Sequence, residues 1–354
     1  MKTAKSIIAG LISVFILTCG AVQAQQSSEV EEQPAQVDDS NLLFPIWENA
    51  FGFIDRAGNI VIEPQFEDAG HFFEGLAPVE IDYKRGYIDQ TGKIVIDPGF
   101  DESSCFSEGL AAVKTGGKYG YIDRTGKYVI NPQFDFAEPF LEGVAVVMIG
   151  DFATGKHGYI DKTGKYVINP QFDCAEPFLE GLAAVRVDDK WGYIDRTGNI
   201  VINPQFDSFL PFREGLAAVA VGDKWGFIDK TGNYAINPRF DGAEPFSEGL
   251  APVAIADLRT GKWGYIDKTG MTIIEPQFDE AYPFSEGVAL VSILDKKTEK
   301  WNLGYIDKTG KIVVEPQFDY AEPFYGGLAS VVIGNRYGYI DKTGKYVYVW
   351  ESTV

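Results

Sequence analysis

Histidine is nearly absent from this 354-residue chain: His71 and His157 are its only two. With so few imidazoles, no Ser-His-Asp arrangement and no paired zinc ligands can be assembled, and no glycine-rich phosphate loop leads into a helix. The chain is therefore expected not to be an enzyme and to carry no metal or cofactor. Basic residues are also short, 31 against 51 acidic ones, giving a formal net charge of −20. Phosphate backbones require a basic stripe, so this balance argues against a nucleic-acid partner. Calcium would be attracted, yet no Asp-x-Asp-x-Asp-Gly loop occurs. A 3.6-residue apolar period is missing throughout, which leaves helices unexpected.

What is present is a repeat. Ile-Asp-x-Thr-Gly or a close variant places an aspartate at Asp55, Asp89, Asp123, Asp161, Asp195, Asp229, Asp267, Asp307 and Asp341, 34 to 40 residues apart. In the fifth of these nine copies, Leu182 to Val187 reads as a first strand and Trp191 to Asp195 as a second. Asp195-Arg196-Thr197-Gly198 fits a type I turn closed by a glycine at positive φ, with the carboxylate accepting backbone N–H groups two residues on. A third strand, Asn199 to Ile202, stops at Asn203-Pro204 because proline cannot donate to a ladder. Gln205-Phe206-Asp207 and Pro211-Phe212-Arg213-Glu214-Gly215 read as a return loop. Glutamates such as Glu142, Glu180 and Glu248 recur before glycine, which argues for backbone capping rather than acid–base chemistry.

The fold expected from this pattern is all-β, a tandem array of about nine three-stranded antiparallel meanders. Both faces of each meander are apolar, so neighbours must stack face to face, with Phe206, Phe212 and their equivalents between the layers. Every copy begins at strand one and ends after strand three, and the end copies diverge, which favours an open superhelical solenoid; the alternative is a closed β-propeller-like ring, large for nine blades. Cys105 and Cys174 lie two copies apart, about 20 Å at ~10 Å per layer, beyond disulfide reach. Both are expected to be unpaired.

Residues 1–24 read as a secretory signal peptide: Lys2 and Lys5, an apolar run from Ile7 to Leu17, then Val22-Gln23-Ala24 as a small-x-small cleavage pattern. Export to the periplasm or medium follows as an expectation, with a lipoprotein anchored through Cys19 as the alternative. Residues 25–41 have five acids and no base or aromatic, the composition of a disordered linker. The array then occupies residues 42–350, without an integral membrane span.

Three copies carry insertions, all between strands one and two: Gly150 to Gly155, Ala256 to Gly261, and Asp295 to Glu299. Because one loop position maps to one edge of a repeat array, that edge is the candidate partner-binding surface, with Phe152, Leu258, Arg259, Lys296 and Lys297 as its contact residues. The residue before the repeated glycine is tryptophan at Trp191, Trp225 and Trp263. These belong either to an aromatic ladder in the core or to a platform for a cell-surface glycan.

Lys190-Trp191-Gly192-Tyr193-Ile194-Asp195, Thr197-Gly198, Pro204-Gln205-Phe206-Asp207 and Glu214-Gly215-Leu216-Ala217 together resemble the WG repeat, or KWG repeat, of bacterial proteins. Nearly the whole chain after the linker is covered. The resemblance implies a β-rich, often exported repeat protein and carries over no catalytic residue. The function expected is a non-catalytic scaffold for protein or cell-surface partners, the alternative a carbohydrate- or peptidoglycan-binding module.

Overall fold

The computed structural model describes residues 42–255 and 261–351, and each regular element among them is a β-strand. The expected leader with Cys19, and the acidic linker, lie outside the described residues.

Local signals act as their chemistry dictates. In the sixth copy Leu216–Val221, Lys224–Asp229 and Tyr234–Phe240 form an antiparallel meander. Asp229 Oδ1 accepts the N–H of Thr231 at 2.9 Å, the Thr231 hydroxyl at 2.6 Å and the N–H of Asn233 at 3.1 Å. Gly232 closes the turn at φ 85°, a conformation with no Cβ penalty for glycine.

The expectation of three-stranded repeats is wrong. Eight of the nine sheets have four strands, and the first has three among the described residues. In seven of those eight the added member is a two-residue strand such as Ser208–Phe209, which pairs Ser208 with Ala220 and Phe209 with Val219, and in one it is the longer Glu280–Ser285. It comes from what reads in the sequence as the return loop of the preceding copy. Two residues are too few for alternation to register. Each four-stranded sheet therefore borrows an edge strand from the copy before it, so the sheets are offset from the sequence repeat.

By contact the chain forms two compact units. Among the described residues one comprises 42–55, Asn59–Asp188 and Ile194–Asn199; the other comprises Arg56–Gly58, Asp189–Tyr193, 200–255 and 261–351. Within each, sheets pack face to face. In the second unit Ala218, Phe227 and Ile236 meet Phe240, Ala243, Phe246, Ala251, Val253 and Ile266 in one buried cluster. The rings of Phe227 and Phe246 meet edge to face at 4.9 Å, a favoured aromatic geometry. Phe206 and Phe212 are buried as expected.

The open solenoid is also overturned. Each turn glycine lies against the third strand of the copy before it: Gly92 on Ile62, Gly126 on Ile96, Gly232 on Ile202, Gly270 on Ile236, Gly344 on Val314. An open array would leave the first copy's turn glycine bare. Instead a Cβ on Gly58 would come within 2.5 Å of the Val347 carbonyl oxygen in the last copy, and one on Gly327 within 3.6 Å of the Arg56 side chain. The first copy's turn thus takes its seat on the final strand Tyr346–Glu351, and the four-stranded sheets are blades of a β-propeller arrangement. The divergent end copies are partners rather than caps.

Cys174 is a free, half-buried thiol, while Cys105 is fully buried and carries a disulfide. The two are not joined to each other, but the expectation that both are unpaired fails for Cys105.

Candidate interaction surface

The hairpin joining first and second strands ends in two or a few residues with no core to bury them. Asp82 and Tyr83 form one such tip, both at positive φ, and Tyr83 is 85% exposed. In the fourth copy the insertion is held by Asp151, whose carboxylate accepts the N–H groups of Ala153 and Thr154. That local capping leaves Phe152 with no packing role, at 89% exposure. The eighth copy spends its insertion on longer strands, Val288–Asp295 and Lys300–Asp307, which carry Trp301 beyond the core at 51% exposure. Lys296 and Lys297 are exposed in the connecting turn. Leu258 and Arg259 lie outside the described residues. Tyr83 and Trp301 were not singled out by the insertion pattern, although each sits at the same hairpin position.

Trp191, Trp225 and Trp263 are each half-buried. Trp225 and Trp263 pack against core clusters, and the Trp191 ring lies 4.2 Å from that of Phe209. Only part of each indole is therefore offered to a glycan. The glycine after each tryptophan is covered by backbone rather than by an aromatic ring. Across Gly226 the second strand advances two residues, Trp225 to Phe227, while the third advances four, Phe240 to Ile236. The bulged strand presses onto the glycine, so a Cβ there would lie 2.6 Å from the Ile236 carbonyl oxygen and 2.6 Å from the Pro238 nitrogen.

The many carboxylates are mostly spent on joining copies. Asp135 takes the Lys118 ammonium at 2.6 Å and the N–H of Gly150 in the next copy's hairpin at 2.9 Å. The Lys118 hydrogen bond, followed by that of Gly150, holds its pKa below the usual value. Glu214, at φ 52°, caps the N–H of Gly249 at 3.1 Å and pairs with Lys268 at 3.0 Å. The capping role read from Glu-Gly is thereby seen in three dimensions.

A second set of polar groups stands on and beside the short strands, at the residue before proline: Glu138, Glu176, Glu244, Tyr282 and Glu322. Sequence reading missed them because the segment looked like loop. Burial, and then the neighbouring Glu176, pushes Glu138 up to about 7. Burial likewise raises Glu176, Glu244 and Glu322. Burial lowers His71 to about 4, keeping it neutral near pH 7.

These opposing shifts make stability depend on pH. Below the ordinary carboxylate range, turn aspartates such as Asp229, held low first by the Thr231 hydroxyl, stay ionised in the fold while the unfolded chain takes up protons. Stability is thus lost as pH falls through about 4. Glu138 has the opposite sign: between about 4.5 and 7 the folded state keeps a proton that the unfolded state has released, so stability declines as pH rises. Part of Glu138 remains open to solvent, which tempers its share. His71, neutral in the fold, opposes Glu138 between about pH 4 and 6.5, where the unfolded imidazole takes up a proton. The separable expectation is that Glu138→Gln makes stability fall less, or rise more, between about pH 4.5 and 7 than in the natural chain. Scanning calorimetry of both chains from pH 3 to 8 checks this, and parallel profiles would contradict it.

Comparison with known proteins adds family and fold. The model of the WG containing repeat matches eight times, at residues 51–84, 86–119, 119–151, 158–191, 191–225, 225–257, 263–297 and 304–337. No curated protein matches the chain. A crystal structure of a eukaryotic initiation factor is similar over 88% of this chain and 96% of its own, with a TM-score of 0.62 at 12% identity. That likeness concerns fold alone. Kluyveromyces lactis Hsv2 aligns over 76% of this chain and 95% of its own at 11% identity, but with a TM-score of 0.40. The tricorn protease aligns over 87% of this chain and 41% of its own at 12% identity, with a TM-score of 0.37.

Proposed function

Because the chain belongs to the WG containing repeat family, we propose that it is a non-catalytic scaffold that holds a protein partner on its hairpin tips. A β-propeller built of such repeats is a fold that commonly binds proteins. The observation that carries the reading is the exposure of Tyr83 and Phe152, at 85% and 89%, well above the 51% of Trp301 and that of any other large aromatic residue among the described ones. Each stands beside an acid, Asp82 or Asp151. The matching partner presents apolar pockets rimmed by basic groups, since aromatic anchors supply most of an interface's energy and charge selects the partner. Lys296 and Lys297 with Trp301 form a further tip of different charge. The non-catalytic part is supported by the use of the repeated carboxylates in turns, caps and ion pairs.

Export to the periplasm or medium belongs to the same proposal and rests on the leader sequence. It fails if amino-terminal sequencing of the protein from its native cells reads Met1.

The scaffold reading is tested by cross-linking in native cells followed by mass spectrometry, comparing the natural chain with a Tyr83→Ser, Phe152→Ser variant. A partner joined to the tip regions of the first and lost from the second is expected, with unchanged melting temperature because neither ring is packed. Identical cross-links from both chains would sink the tip assignment.

A further inference from the structure

The hairpin of the eighth copy is built differently from its counterparts. In six copies the lysine that opens the second strand is tied to an aspartate of the following loop, as Lys118 is to Asp135 at 2.6 Å and Lys224 to Asp241 at 2.7 Å. In the eighth, Asn302 stands at that place. The matching acid, Asp319, takes the N–H of Gly334 at 2.6 Å and forms no ion pair among the described residues.

The lysines of this copy lie farther out. Its longer strands pair Ile293 with Asn302, Leu294 with Trp301 and Asp295 with Lys300. Towards the tip, the outer strand Ile312–Phe318 makes its last pair with Leu303 and the inner strand Glu280–Ser285 its last with Ser292. Beyond those pairs the hairpin is a two-stranded ribbon that no third strand covers among the described residues. Lys296, Lys297 and Lys300 are exposed on it, and none of their ammonium groups forms an ion pair there. Asp295 is spent on the turn, where its carboxylate accepts the N–H of Lys297 at 2.9 Å and the hydroxyl of Thr298 at 2.8 Å. Trp301, Leu303 and Tyr305 share a strand face. Leu303 and Tyr305 pack into the core cluster shared with the last copy, whereas Trp301 is left outside it at 51% exposure.

We propose that this ribbon docks an extended acidic peptide segment of a protein partner, whose carboxylates pair with Lys296, Lys297 and Lys300 while an apolar side chain covers Trp301.

Charge complementarity selects the occupant. The chain as a whole has a net charge of −20, yet here three lysines stand within five residues and lack the carboxylate that lysines at the other hairpins have. Exposed ion pairs are individually weak, so recognition needs several of them together with the indole, a side chain enriched where interface energy concentrates. An anionic membrane offers the same sign of charge. A planar surface that reached the ribbon would, however, also approach the acidic body around it. A peptide strand touches the ribbon alone, and salt screens charges farther away than about 8 Å. The inference extends the scaffold reading to a second surface of opposite charge. A Tyr83→Ser, Phe152→Ser chain should bind the acidic segment as the natural chain does, so the two readings fail separately.

The test is fluorescence anisotropy of the full chain, in physiological salt, with a labelled peptide of glutamates around one central phenylalanine. Its glutamine counterpart is the neutral control, and phosphatidylglycerol vesicles, read by co-sedimentation, represent the membrane. Only the glutamate peptide is expected to bind. Lys296→Gln, Lys297→Gln and Lys300→Gln together should weaken it by about ten-fold or more, and Trp301→Ala by about ten-fold. Lys84→Gln, Lys118→Gln and Lys224→Gln together remove the same charge from lysines already paired, and should stay within about two-fold. None of the four substituted ribbon residues belongs to a core cluster, so their variants should melt as the natural chain does. Absence of binding by the glutamate peptide, equal binding of the glutamine peptide, equal losses in the two lysine variants, or binding of the vesicles in place of the peptide would each overturn the site.

Discussion

Replacing Gly226 by alanine is expected to destabilise the chain by about 3 kcal/mol or more, at the upper end of what forced overpacking costs. The new methyl group would lie 2.6 Å from the Ile236 oxygen, 2.6 Å from the Pro238 nitrogen and 2.9 Å from the Asn237 carbonyl carbon. All three are backbone atoms of a bulged strand, so no side chain can rotate away. Either the bulge or the pairing of the two strands must give. The same overlap recurs at Gly52, Gly86, Gly120, Gly158, Gly192, Gly264 and Gly304, with the nearest carbonyl oxygen at 2.4 to 2.6 Å. Gly249 supplies the control: a Cβ there meets nothing within 4 Å, and only its φ of 87° is strained for alanine. Gly249→Ala should therefore cost about 1 kcal/mol. Urea denaturation of the two variants checks the difference. Equal midpoints would show that the bulge does not bear on the glycine.

Deleting residues 346–354 is expected to loosen the first copy of the repeat as well as the last. The final strand contributes Tyr346 to the terminal core cluster and stacks Trp350 on Tyr337 at 5.9 Å. Losing those two large side chains alone costs on the order of 5 kcal/mol by area. The strand also carries Val347, on which the Gly58 turn sits. Hydrogen exchange reads the second effect separately: the amides of Asp55 and Asn59, which bond to Asn59 O at 2.9 Å and to Asp55 Oδ1 at 2.8 Å, should lose protection in the truncated chain. Where the truncation does not fold, Gly58→Ala attacks the same contact from the other side, and exchange should then rise around Val347. Disturbance confined to the last two copies in both variants would restore the open array, because solenoid repeats feel only their neighbours in sequence.

The tip residues show how far sequence carries a site. Phe152 was legible as exposed because an insertion of six residues between two strands has no partner to bury it. Tyr83 stands in a two-residue turn of ordinary length, so only the structure revealed that its ring is left unpacked, at 85% exposure. The tryptophans were ambiguous for a related reason. Their position beside glycine is compatible with core or surface, and the packing of the next sheet decides which part of each indole remains open.

The number of copies, the β-class, the Asp-x-Thr-Gly turns and the Glu-Gly caps were determined by the sequence itself. The turns act through hydrogen bonds spanning two to four residues, as in Asp229 to Thr231 and Asn233, so their chemistry is complete within the motif. Which sheet receives the pair Ser208–Phe209, and where the Gly58 turn finds its seat, was decided only in the tertiary structure. Two residues carry too little pattern to announce a strand. A contact between residues 58 and 347 leaves no mark in the spacing of a repeat, because the same glycine would be needed whether its neighbour were the previous copy or the last one.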